Sequence, residues 1–203
     1  MKLHLVRHGE TEWNLSRRMQ GRLDSPLTER GVSQSFQVQK CLSSTRIDRV
    51  YSSSSGRAVQ TAKIICGQGQ PINLMDDLRE ISLGTLEGLT KEYVQEHYPG
   101  ALHAFWYKPS DFAVDGSETF ADLRERVVSA VTKIIHQSDG QSVLIVSHAA
   151  AIKALLSHYL KKDIDQIWDP PALNNGAHII MASKDRGTFH IALCENEHNE
   201  KTR

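Results

Sequence analysis

The apolar positions change period several times along the chain, and each change predicts an element. Residues Lys2 to Val6 alternate in apolar character and end at Arg7-His8-Gly9, a strand running into a loop. Thr28, just after Pro26 and Leu27, is a candidate N-cap for a helix that continues to about Leu42. Asp48 to Ser52 reads as a short strand, and the serine run Ser52 to Ser55 with Gly56 reads as a loop. Arg57 to Cys66 has helical spacing, with Val59, Ala62 and Ile65 near one face; Gly67 to Pro71 breaks it before a short strand at Ile72 to Leu74.

The stretch from about Glu80 to Asp115 is the least regular. Gly84 and Gly88 precede a short helical segment that Pro99-Gly100 is expected to end, and Phe105, Trp106 and Tyr107 crowd together before Pro109. Ser117 to His136 predicts a capped amphipathic helix, with Phe120, Leu123, Val127, Val131 and Ile134 at three-to-four spacing. Ser142 to Val146 is a continuous apolar run of the kind found in buried central strands. It leads into Ser147-His148 and then a helix from Ala149 to Leu160. Strands at about His178 to Ala182 and Thr188 to Leu193 precede a polar tail, Glu195 to Arg203, which is expected to be mobile.

Strands alternating with helices predict an α/β fold, a three-layer sandwich with a central, mostly parallel sheet flanked by helices. At 203 residues the expectation is one domain, 1–203, with a short lid-like segment at about 81–116. Ligands of such sheets bind beyond the carboxyl ends of the strands. His8 and His148 both fall at that position, each followed by a small residue, and this sets them apart from the other eight of the ten histidines.

Charge narrows the class of function. Lys+Arg and Asp+Glu both number 24, so no global field attracts nucleic acid or an anionic membrane, and anion binding must come from a local cluster. Three cysteines without a CxxC pair suggest neither a disulfide framework nor a zinc ribbon. The N-terminus is too short and polar in its apolar stretch for a signal peptide, and no apolar run approaches the ~18–20 residues that span a bilayer, so a cytoplasmic location is expected.

Four segments carry the candidate chemistry: LVRHGETEWN (Leu5 to Asn14), YSSSSGRAVQTA (Tyr51 to Ala62), LREISLGTLEG (Leu78 to Gly88) and LIVSHAAAIK (Leu144 to Lys153). Together, in this order and spacing, they resemble the histidine phosphatase superfamily, the branch of the cofactor-dependent phosphoglycerate mutases and their phosphatase relatives. The resemblance covers the whole chain. It implies a phosphoglycerate mutase-like fold and a phosphate pocket formed by Arg7, His8, Arg57 and His148. Asn14, Gln20, Gly21 and Ala149 match further substrate-contacting positions, His8 the nucleophile, and Glu80 the proton donor. No metal or other cofactor is implied, and the partner is a small phosphorylated molecule. The chemistry is coherent on its own terms. Two guanidiniums offer forked donors to phosphoryl oxygens, and a neutral imidazole can take the phosphoryl group and split one displacement into two.

Family members commonly carry two glycines after the second histidine, where this chain has Ala149 and Ala150. That departure bears on substrate range more than on reaction type. The motifs of cysteine phosphatases, DxDxT enzymes, HExxH enzymes and P-loops are absent from the sequence. Hydrolysis is favoured over mutase-type phosphoryl transfer, because mutases of the family usually carry a longer insertion where this chain has only Glu80 to Ser117, and a shorter lid admits water. A non-catalytic phospholigand-binding protein is disfavoured by the intact set of five core residues. Alpha-ribazole phosphate, phosphoserine, sugar phosphates or a broad range of phosphomonoesters remain open as substrates, as does the oligomeric state.

Overall fold

A computed structural model of the chain describes residues 1–67, 69–185 and 188–194. Its centre is a six-stranded mixed sheet built from β1 (Lys2–Arg7), β2 (Arg49–Ser53), β3 (Ile72–Met75), β4 (Ser142–Ser147), β5 (His178–Asp185) and β6 (Thr188–Cys194). The order across the sheet is β3-β2-β4-β1-β5-β6. The first four run parallel, while β5 pairs antiparallel with both β1 and β6. The mostly parallel α/β sandwich read from the sequence is therefore the architecture present, with an antiparallel hairpin at one edge.

Helices cover both faces because the buried strands are apolar on both sides. On one face, Val6, Val50, Leu144 and Val146 pack against Val38 and Leu42 of α2 (Glu29–Leu42) and Ala58, Ala62 and Ile65 of α3 (Gly56–Cys66). On the other, Leu3, Leu5, Val143, Ile145 and Met181 belong to a larger core with α6 (Phe120–Gln137) and α7 (Ala149–Tyr159). α2 starts where Thr28 accepts a hydrogen bond from Gly31 N, and its buried residues Gly31, Ser35, Val38 and Leu42 follow the helical period.

Three boundaries differ from the sequence reading. A four-residue helix, α1 (Glu12–Leu15), follows the first loop, capped by Thr11 with a reciprocal bond to Asn14. The short helix α4 (Lys91–His97) does end ahead of Pro99-Gly100, but Pro99 also opens a further helix, α5 (Pro99–Tyr107). A proline lacks the N–H that a first turn leaves unpaired anyway, so it starts a helix as readily as it stops one. The helix expected from Ser117 begins at Phe120, with Thr119 as its cap. The polar tail Glu195 to Arg203 lies outside the described residues.

Phe120 is fully buried, and its ring meets those of Phe105, Phe112 and Trp168 at 5.3, 5.8 and 5.9 Å between centroids. This cluster joins α5 to the main core. Phe120→Ala is expected to cost about 3–5 kcal/mol, read as a lower urea midpoint with an unchanged slope; an unchanged midpoint would contradict this packing.

Candidate active site

The register of β1 on β4 sets Arg7 opposite Ser147, so the two chains leave the sheet side by side. The next residue in each is a histidine, and the rings of His8 and His148 lie 5.1 Å apart, edge to face. β2 ends alongside them at Ser53, and α3 begins three residues later with Arg57 in its first turn. Two glycines permit this loop to lie where it does. A Cβ on Gly9 would come within 2.3 Å of Gly31 O, and one on Gly31 within 2.0 Å of Glu10 O, so the His8 loop and α2 touch backbone to backbone.

His8 is buried, and both ring nitrogens are engaged. Nδ1 lies 2.7 Å from Gly9 O, which only accepts, so Nδ1 carries the proton. Nε2 accepts from Arg57 Nε–H at 3.3 Å and thus keeps a lone pair. Burial, then Arg57 and Arg7, hold the His8 pKa well below its usual value and keep the ring neutral.

Arg57 is almost fully buried and firmly held: Nη1 donates to Leu23 O (2.7 Å) and Asp24 (2.9 Å), and Nη2 donates to Gly21 O (2.8 Å). Arg7 Nη1 donates to Leu173 O at 2.6 Å, while its Nε has no hydrogen-bond partner. Burial lowers the Arg7 pKa to about 10, with Glu80 opposing and Arg57 adding to the shift, so it remains a cation at neutral pH. His148 Nε2 lies 2.7 Å from Ser53 Oγ, and its Nδ1 is likewise buried without a hydrogen-bond partner. Burial, followed by Arg57, His8 and Arg7, holds this imidazole neutral too.

The Glu80 carboxylate is fixed at the start of α7. Oε1 accepts from Ile81 N (3.0 Å) and Ala151 N (3.1 Å), and Oε2 from Ala150 N (3.2 Å). Ala150, one of the two alanines that stand where the family commonly has glycine, thus uses its backbone on Glu80, and Ala149 lines the cavity. Glu87, by contrast, accepts from Arg22 N and Leu83 N and braces the loop under Gly21.

Arg7, His8, Asn14, Gln20, Gly21, Arg57, Glu80 and Ala149 all line one cavity of about 560 Å³. His148 lies beneath it, fully buried against His8. Sequence reading did not single out Arg18, Lys91, Lys153, Trp168, Leu173 and Asn174 from the same wall. It also passed over Asn175, which donates to His8 O (3.4 Å) and Asn14 Oδ1 (2.9 Å). The Asn-Asn-Gly turn at 174–176 was its one signal. Phe105, Trp106 and Tyr107 line the cavity from α5, with Phe105 also inside the aromatic core.

Residues 3–196 match the model of the histidine phosphatase superfamily (branch 1). The chain belongs to that superfamily. Among curated relatives, it is 36% identical to a probable phosphoglycerate mutase of Salmonella choleraesuis over 161 residues, 79% of this chain and 75% of that protein. Among solved structures, YhfR from Bacillus stearothermophilus superposes with a TM-score of 0.90 at 39% identity, covering 95% of each chain. A mycobacterial glucosyl-3-phosphoglycerate phosphatase complexed with VO3 gives 0.85 at 27% identity, over 95% of this chain and 97% of that one. A phosphoserine phosphatase from Entamoeba histolytica, complexed with phosphoserine, gives 0.84 at 26%, over 98% of each chain.

Four buried histidines predict that this histidine phosphatase superfamily member loses stability in acid. Besides His8 and His148, His4 and His178 share one hydrogen bond of 3.0 Å, and burial holds both pKa values down, that of His178 to about 4. When unfolded, each ring binds a proton below about pH 6.5. The unfolded state then holds more protons, so stability is full above that pH and falls as acid is added toward about pH 4. Thermal unfolding should show a melting temperature that is level above about pH 7 and drops steadily below about 6.5; a level profile down to about pH 5 would contradict the neutral assignment.

Proposed function

We propose that this chain is a metal-independent phosphatase that hydrolyses small-molecule phosphomonoesters through a phosphohistidine intermediate on His8. The observation that carries this reading is the His8 ring itself: neutral, with Nδ1 anchored on Gly9 O and the Nε2 lone pair accepting only from Arg57 Nε–H, in a pocket that Arg7 and Arg57 both line. The cytoplasm, where phosphorylated metabolites are made, is the proposed setting.

An incoming phosphoryl group displaces Arg57 Nε–H from His8 Nε2 by accepting that hydrogen bond on one of its own oxygens. Arg7, with Nε unpartnered, supplies a second donor. His148 supplies a third if the Ser53 hydroxyl donates to Nε2, because the ring's proton then sits on Nδ1. The three donors meet the negative charge of the transition state. Nε2 attacks phosphorus as the ester P–O bond breaks, and the departing oxygen takes a proton through Glu80. Glu80 receives that proton from the monoanionic substrate phosphate in the first turnover and from the hydrolytic water in later ones. Water then attacks the phosphohistidine, Glu80 takes its proton, and the N–P bond breaks to give inorganic phosphate. Asn14, Gln20, Gly21 and Ala149 complete the walls around the transferred group.

The segment 81–116 contributes Leu83, Lys91 and the α5 aromatics to the cavity and acts in this reading as a short lid. The cavity stays open enough for water to reach the phosphohistidine, which favours hydrolysis over return transfer. Arg18, Lys91, Trp106 and Tyr107 line the same cavity, and in this reading they meet the organic part of the substrate. The likeness to a probable phosphoglycerate mutase of Salmonella choleraesuis supports a second reading, phosphoglycerate mutase-type transfer, in which a phosphoglycerate would be isomerised rather than hydrolysed.

Purified protein in excess chelator is expected to release phosphate from aryl phosphates, and His8→Ala to abolish that release. Glu80→Gln should lower kcat by about 10²–10⁴ with alkyl phosphates, whose leaving oxygen needs the proton, and by much less with nitrophenyl phosphate. No turnover by the wild type, equal turnover by His8→Ala, or isomerisation without hydrolysis would each overturn the proposal.

A further inference from the structure

Lys153 lies on α7 one helical turn beyond Ala149, on the same wall of the cavity. The residue is only 4% exposed. Burying an ammonium is costly unless its donors are met, and here they are met by main-chain oxygens. Nζ donates to Asp169 O and to Pro171 O, the latter at 3.0 Å. Burial and Lys162 lower its pKa, while Asp169 raises it.

Those two carbonyls open a segment that runs to β5 and wraps the His8 loop. Leu173 O accepts from Arg7 Nη1, Asn175 donates to His8 O and to Asn14, and Gly176 N donates to His8 O at 3.2 Å. Ala177 O accepts from Arg7 N at 3.0 Å. The β5 end of the segment is held by the sheet; the other end is gathered on the Lys153 ammonium. We propose that Lys153 is a positioning residue for phosphoryl transfer: by fixing the 169–173 backbone it sets the Leu173 carbonyl that orients Arg7. This rests on the phosphatase reading of the same site.

Lys153 uses two of its three donors in this way, so a direct contact with the leaving group is the competing role. Inorganic phosphate separates the two because it has no leaving group. Lys153→Met is expected to lower kcat/KM for an aryl phosphate about tenfold or more and to weaken inhibition by inorganic phosphate by a similar factor. Lys153→Arg should restore most of both. In an Arg7→Ala background, phosphate binding measured by calorimetry should no longer respond to Lys153→Met, since the two changes act on one element. If Lys153→Met does not fold, Lys153→Gln, which keeps one donor within reach, carries the same comparison. Phosphate inhibition unchanged by the variant, or effects of the two substitutions that simply add, would overturn the proposal. Absence of turnover in the wild type would instead contradict the phosphatase reading, and calorimetric phosphate binding would still test Lys153.

Discussion

Two guanidiniums and a neutral imidazole share one buried space, and most of the surrounding structure serves to make that tolerable. Arg57 bonds His8 directly, and Arg7 lowers the pKa of the same ring. Neither cation can leave, because each is tied to carbonyls: Arg57 to Leu23 and Gly21, and Arg7 to Leu173. Burial first, and the two cations after it, deny His8 a second proton, and the Gly9 carbonyl decides which nitrogen keeps the remaining one. In the proposed reaction a ring in that state serves as the nucleophile, held among donors for an oxyanion. Preorganised charge of this kind costs no reorganisation when the reaction occurs.

The fold supplies the arrangement through register. Parallel pairing of β1 with β4 and of β4 with β2 brings three strand ends to one edge, placing His8, His148 and Ser53 within reach of each other. α7 then works at both ends of its first turn: its first backbone N–H groups hold Glu80, and Lys153 gathers the 169–173 backbone. One helix thereby links the carboxylate to the loop that orients Arg7.

Much of this was legible in the sequence, for physical reasons that differ by element. Continuous apolar runs such as Ser142 to Val146 mark strands buried on both faces, and histidines directly after them fall at the ligand-binding edge without further information. The α1 helix was not legible because four residues are too short to show a period. Pro99 was legible as a helix stop but not as a helix start, because the same missing N–H serves both. The role of Ser53 was hidden in a serine run that reads as a turn. The partners of Lys153 are main-chain carbonyls 16 and 18 residues away, which no side-chain pattern encodes.

The central claim is that His8 Nε2 carries the phosphoryl group. Rapid quenching of the protein with an isotopically labelled phosphomonoester, followed by peptide mapping under alkaline conditions, tests it most directly. The account predicts an acid-labile, alkali-stable label on the peptide containing His8, formed and lost at rates compatible with turnover. Steady turnover with no label at His8, or a label on another residue, would contradict it.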